Sequence, residues 1–197
     1  MQVPLFPLSV FPMPGEIIGL HVFEPRYQAL FDQLERNLIH EFGIPFSTSS
    51  EMWRVGALMR LVTVKQREAD GRRDVLVTCT RMFRLSEYHP SPDPSLHSTG
   101  TIDVYNDWAT WPLGNGCKRA LQALIDDMRR HNLPTESLDN QGMVRVVQHL
   151  GISPQQKAEI FVQPTLESRQ DVLKEALEFA RKIVAQRPHN SDGLFLN

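Results

Sequence analysis

Apolar positions in the first hundred residues fall in short alternating or continuous runs, punctuated by proline, glycine and small polar residues. After Asn106 they recur every three or four residues. The first spacing predicts strands and the second helices. Leu5–Val10 and Glu16–Phe23 read as extended segments around a Pro14-Gly15 turn. The prolines at 4, 7, 12 and 14 suit edge or irregular strands. Pro25 stands where a helix can begin without losing a needed N–H, and Tyr27, Leu30, Phe31, Leu34 and Leu38 follow at helical spacing. Glu41–Phe46 predicts a short strand and Ser47–Glu51 a polar loop. Val55–Lys65 and Asp74–Thr80 flank Asp70-Gly71, a hairpin signal with a loop longer than the tight two-residue form. Met82–Tyr88 continues extended, His89–His97 carries Pro90, Pro92 and Pro94 as a surface loop, and Thr101–Tyr105 closes the set. Strands at this spacing predict a small barrel or sandwich.

The second half predicts helices. Leu121, Leu124, Ile125 and Met128 form one stripe; Met143, Val144, Val147 and Leu150 form another, stopped at Gly151. Ser153-Pro154-Gln155-Gln156 combines capping-box spacing with proline at the first helical position, and that helix should end near Pro164. Val172, Leu173, Ala176, Leu177, Ala180, Ile183 and Val184 mark the strongest helix, ended by Pro188. None of these helices is apolar all round, so they should pack as a bundle. The expected organisation is a β-rich part over 1–105, a linker over 106–116, helices over 117–188 and a tail over 189–197, where Leu194, Phe195 and Leu196 could dock. The fold class is α+β.

Composition narrows function mainly by exclusion. The chain has 197 residues and a net charge of −2, so attraction of the whole molecule to nucleic acid or an acidic membrane is not expected. The start lacks a basic segment before Arg26 and is broken by prolines, unlike a signal peptide, and no apolar run approaches the ~18 residues of a membrane span. A cytoplasmic location is expected. Cys79 and Cys117 stand far apart, outside any CxxC pair, and read as free thiols. No P-loop, GxGxxG, HExxH or GxSxG motif is present. The seven histidines are scattered, and His89 and His97 have only Asp93 beside them as carboxylate support. No metal, cofactor or catalytic residue is expected. Cys79 reads as a buried hydrophobe, since a reactive thiolate would need a cationic neighbour. One stretch departs from neutrality. Between residues 54 and 84, Arg54, Arg60, Lys65, Arg67, Arg72, Arg73, Arg81 and Arg84 face only Glu68, Asp70 and Asp74. Clustered arginines on a hairpin could track phosphates; the competing reading is a solvated sheet face with edge-protecting charges.

LFPLSVFPMPGEIIGLHVFEPRY (Leu5–Tyr27), then VGALMRLVTV, the Asp-Gly hairpin and DVLVTCTRMFRL, occur in an order that resembles the Lon protease N-terminal, or LON substrate-binding, domain family, especially its stand-alone bacterial members. The resemblance implies a PUA-like β pseudo-barrel with one helix, followed by a helical bundle. It also implies protein binding rather than proteolysis, because the ATPase and protease domains of Lon proteases follow this domain and the chain here is too short to include them. One departure is Cys79, where the family usually has glycine; a bend there must be made differently or a β-bulge is absent.

Within the motif, Phe23 and Tyr27 read as core, and Arg26 as a partner of Glu24 or of a backbone carbonyl. Candidate partner-binding residues are Phe11 and Met13, expected partly exposed, Met52 and Trp53 after the polar loop, and Trp108 and Trp111 in the linker. Met and Trp make adaptable contacts with apolar partners. The competing reading makes the tryptophans loop anchors and cement. The expected function is a non-enzymatic module binding unfolded clients or peptides, with a protease or chaperone as a further partner. The alternative is a PUA-like RNA-binding module using Arg54, Arg60, Arg67, Arg72, Arg73, Arg81 and Arg84.

Overall fold

One strand organises the β-rich part. β5 (Arg73–His89) runs 17 residues and pairs antiparallel with three others. β4 (Met52–Arg67) lies along one edge of it. On the other edge, β2 (Ile17–Val22) takes the first part and β6 (Thr99–Val104) the last. β3 (Phe42–Ser47) pairs β4, and β1 (Gln2–Pro4) pairs β6. The spatial order is β1-β6-β5-β4-β3, with β2 beside β5. Leu5 and Leu8 make isolated parallel bridges to Gly43 and Phe46, which brings the two ends of this order together. The result is a curled antiparallel half-barrel carrying one helix, followed by helices, as expected for an α+β chain. The computed structural model describes residues 1–138 and 142–186; Pro188, His189 and the tail with Leu194, Phe195 and Leu196 lie outside them. The chain divides into two compact units, one ending at Asn106 and one beginning at Asp107.

In the first unit, α1 (Pro25–Glu35) begins at the anticipated proline and buries Tyr27, Leu30, Phe31 and Leu34. These pack with Val22, Phe42, Ile44, Ala57, Met59, Val75 and Val77 from the sheet. Val3, Leu5, Leu58, Phe83, Leu85 and Ile102 form a second cluster. Two faces of one sheet are therefore covered where β4 and β5 cross the middle, which is why Val55–Met59 is a continuous apolar run instead of an alternating one. Gly56 sits at that crossing, where a Cβ would stand 2.7 Å from the Phe83 ring and as close to the Pro45 backbone.

Four local expectations change. Leu5–Val10 makes only the two bridges, because Pro4 and Pro7 cannot donate to a ladder. Leu38 does not join the helical face: Asn37 turns left-handed at φ 55° after α1 and leaves Leu38 69% exposed. Phe23 is exposed just before the helix, so it is not a core residue. Asp74–Thr80 and Met82–Tyr88 are one strand. The register steps from Leu58–Arg81 to Met59–Cys79, so Thr80 is the extra residue of a β-bulge beside Cys79.

In the second unit, a short 3-10 turn (Trp108–Thr110) precedes α2 (Asn115–Arg130), α3 (Met143–His149), α4 (Pro154–Phe161) and α5 (Leu166–Ala185). α5 packs against α2 and α4. α4 starts with the anticipated capping box: Gln156 N–H donates to Ser153 Oγ at 3.2 Å, and Ser153 N–H to Gln156 Oε1 at 2.9 Å. A second box, Thr165 with Ser168, starts α5 and is not part of the sequence expectation. Asp127, buried on α2, accepts from Arg181 Nε at 2.7 Å and also pairs with Arg130. Arg181 holds the Asp127 carboxyl below the usual carboxylate range. The stripe on α5 is shorter than expected, since Ile183 is exposed.

Candidate functional site

The apolar candidates separate into buried and accessible groups. Phe11 and Met13 are 3% and 0% exposed, so the expectation of partial exposure is corrected. The Pro14-Gly15 turn folds their segment onto β5: Gly15 N–H donates to Cys79 O at 2.8 Å and Cys79 N–H to Glu16 O at 2.9 Å. Phe11 then meets Phe46 edge-on at 6.5 Å. Trp53 is half-buried, edge-on to Phe46 at 5.5 Å, and its buried Nε1 has no hydrogen-bond partner. Met52 is half-buried. In the second unit, Trp108 is half-buried on the 3-10 turn, whereas Trp111 is buried, stacked on Phe161 at 6.3 Å beneath the Arg169 guanidinium at 4.5 Å.

The basic candidates separate as well, and along the hairpin. At the turn end, Arg73 is buried and pairs with Asp32 at 2.7 Å and Glu35 at 2.5 Å, both on α1. Arg67 pairs with Glu35 at 2.6 Å. Arg72 pairs with Glu68 at 2.6 Å and Asp70 at 2.8 Å inside the turn. Arg81, further along β5, pairs with Glu41 at 2.8 Å. Arg54, Arg60 and Arg84 are exposed and have no carboxylate partner among the described residues. The local charge excess is therefore mostly cancelled by carboxylates that lie outside the segment in sequence and beside it in space.

At the other end of the hairpin the strands part. The β4–β5 register stops at Val55–Arg84, while β5 continues to His89 paired only with β6. β4 continues in the other direction, pairing Met52 with Ser47 of β3. Between them lies a cleft of about 490 Å³ lined by Met52, Arg54 and Leu85–His89. This is the size range of small binding sites. Ser86, the extra residue of a bulge against β6, donates to Asp103. His89 Nε2 lies 3.0 Å from Thr101 Oγ1 and 3.7 Å from Glu87. Met52 and Arg54 were legible as candidates; Leu85–His89 were not, because only the register shows that β4 abandons this part of β5. A second cleft of about 350 Å³ lies under the proline-rich loop, between Gln33 and residues including His89, Leu96 and His97.

The remaining chemistry is structural. Arg26 pairs with Glu24 at 2.6 Å and lies 4.8 Å over the Tyr27 ring, which fixes the start of α1. Burial pushes the Cys79 thiol up, and its Sγ donates to Arg81 O at 3.4 Å, so it behaves as a small hydrophobe. Asp93 is engaged by Ser95 Oγ and N–H at 2.7 and 2.8 Å, which lowers its pKa. Among the described residues no three His, Cys, Asp or Glu side chains come together as a metal site, and no helix is long and apolar enough to cross a membrane.

Known proteins with this architecture agree with the motif resemblance. The chain is similar to a Lon N-terminal domain protein from Xanthomonas campestris, with TM-score 0.63, 21% identity, and coverage of 95% of this chain and 99% of that one. It is also similar to the N-terminal domain of Mycobacterium avium complex Lon protease, with TM-score 0.56, 12% identity, and coverage of 90% and 98%. No curated relative matches. The family model for the ATP-dependent protease La (LON) substrate-binding domain matches residues 2–178. With that match spanning both units, the chain belongs to the LON substrate-binding domain family.

Proposed function

We propose that this chain is a non-catalytic binding module that takes unfolded or partly unfolded proteins, or peptides from them, as its partners. The observation that carries the reading is the family match over residues 2–178, whose description is substrate binding within a protease system. An open cleft that holds the half-buried Met52 beside an unpaired arginine, Arg54, supports it. A protease or chaperone that receives the bound client is the natural further partner. The RNA alternative loses support from the geometry of the hairpin. Arg67, Arg72, Arg73 and Arg81 already hold carboxylates, and a phosphate would have to displace them. Three exposed arginines, Arg54, Arg60 and Arg84, remain available for such contacts.

The test is fluorescence anisotropy with labelled, reduced and carboxymethylated α-lactalbumin as a permanently unfolded client, against the same protein native. Saturable binding of the unfolded form alone is expected. Equal binding of both forms, or of neither, overturns the proposal. Filter binding of single-stranded RNA at low salt should give no retention above an unrelated domain of equal charge, since phosphate contacts are strongest there.

A further inference from the structure

Open strand edges invite pairing with another chain, and prolines, charges and bulges are what usually prevent it. In the first unit β1 carries Pro4 and β3 carries Pro45. Beyond its last pair with β3, β4 carries Arg60, Lys65 and Arg67 and two register shifts. The end of β5 carries Glu87 and a bulge. β2 has none of these guards. It reads Ile-Ile-Gly-Leu-His-Val in unbroken register, and its one neighbour in the sheet is β5. A bulge just before it fixes which backbone groups are free. Gly15, at φ 89°, donates its N–H to Cys79 O, and Glu16 O accepts from Cys79 N–H. Alternation from there turns the N–H and C=O of Ile18, Leu20 and Val22 to β5, and those of Ile17, Gly19 and His21 outward. The outward groups have no partner among the described residues. Gly19 is exposed, and what a glycine exposes is backbone.

The side chains of this edge select its occupant. Ile17 and Phe23 are 58% and 57% exposed and stand three residues either side of Leu20. Phe23 continues the outer face of β2, since its ring stacks on His21 at 5.9 Å. We infer that the occupant is a second copy of this chain, β2 pairing antiparallel with β2 about a two-fold axis at Leu20. In that register Ile17 of each copy lies opposite Phe23 of the other, and His21 lies opposite Gly19, which has no side chain to obstruct the imidazole. These are the residues whose backbone groups point outward, so one register serves both ladder and side chains. On the inner face, Ile18 and Leu20, half-buried at the rim of the core, meet Val22 and Leu20 of the other copy. Moving the axis to Gly19 would set Ile17 against His21 and leave Phe23 beyond the strand. A two-fold contact uses one patch twice and needs a self-complementary strand. The nearby carboxylates do not oppose it: Met13 N–H holds Glu16 at 2.9 Å, Arg26 holds Glu24 at 2.6 Å, and Asp74 is hydrogen-bonded to His21 at 2.7 Å, one strand back from the seam. The seam is short against the roughly 1,200–2,000 Å² of stable interfaces, so the dimer is a weak one.

The experiment is sedimentation equilibrium of the full chain from about 10 µM to 1 mM, with amide exchange by NMR near both limits. A monomer–dimer equilibrium is expected, and the Ile17, Gly19 and His21 amides should exchange at least twofold more slowly at the higher concentration. The Ile18, Leu20 and Val22 amides, bonded to β5 in both states, should not change relative to the rest of the sheet. Gly19→Lys should weaken dimerisation at least tenfold. Its Cβ would meet nothing nearer than Leu76 Cδ2 at 3.8 Å, so the monomer accommodates it. Val62→Lys, the same charge at an exposed apolar site on β4, should leave dimerisation within twofold. A monomer at every concentration overturns the inference. So does a dimer that Gly19→Lys leaves intact, or one without the alternating protection. A monomer whose Ile17, Gly19 and His21 amides are protected by unfolded α-lactalbumin overturns the second copy and assigns the edge to clients. None of these results bears on whether unfolded proteins bind, so the proposed function stands or falls separately.

Discussion

The two ends of the β4–β5 hairpin are made of similar residues and do opposite things. At the turn end, Arg67, Arg72 and Arg73 are each held by carboxylates, and the α1 pair Asp32 and Glu35 reaches across to hold two of them. At the splayed end, Arg54 and Arg84 stand exposed, the ladder stops, and a cleft opens. Arginine density along the chain therefore says little about a patch. What matters is which other elements the fold brings alongside, and α1 is brought to one end only.

Breaking the closed end should give the largest effect. Arg73→Ala removes the buried cation that Asp32 and Glu35 share and leaves them only the exposed Arg67, and it should cost about 2–3 kcal/mol in a urea melt. Gly71 carries φ +92° at the turn, and an added Cβ would meet the end of the Gln28 side chain, which can move aside. Gly71→Ala should therefore cost about 1–2 kcal/mol, mostly from the left-handed backbone. At the open end, Arg54→Glu should leave the melt unchanged and weaken unfolded-client binding at least tenfold, about 1.4 kcal/mol. A drop in stability instead would show that the open end contributes to the fold as the closed one does. Arg72→Ala, at an exposed pair, should cost less than about 1 kcal/mol.

The smallest effect concerns acid. The backbone N–H of Arg72 donates to Asp70 and lowers its pKa, with the Arg72 side chain adding to this. A lowered folded-state value gives stability that is present above the unfolded carboxyl pKa of about 3.9 and is lost as pH falls through the folded value. Asp70→Asn should slightly flatten the fall in melting temperature on going from pH 5 to pH 3, and leave pH 7 nearly unchanged. A steeper fall in the variant would reverse the sign of this contribution.

Residues whose role is local are legible from the sequence. Pro25 opening α1, the Ser153–Gln156 capping box, and the Pro14-Gly15 turn before β2 depend on neighbours within a few positions. Leu38 and Phe23 mislead because both border a helix. Whether a flanking apolar residue is buried depends on where the chain turns, here at Asn37 for Leu38. Phe11 and Met13 mislead for the opposite reason. Their proline-rich segment looks like an exposed arm, yet backbone bonds from Gly15 and Glu16 to Cys79 fold it inward, and that partner lies far along the chain on β5. For the candidate site, Met52 and Arg54 stand out by residue type, while Leu85–His89 looks like ordinary strand.

By itself the sequence determined the α+β division, most elements, and a family resemblance carried by short motifs, because turn residues, hydrophobic period and caps act through the nearest part of the chain. Only the tertiary structure decided which arginines are spent on internal pairing, whether the bulge survives beside Cys79, and where β4 leaves β5. Those depend on strand register and on the docking of α1, which join residues that are far apart along the chain. A one-residue change of register would turn the same side chains to the other face.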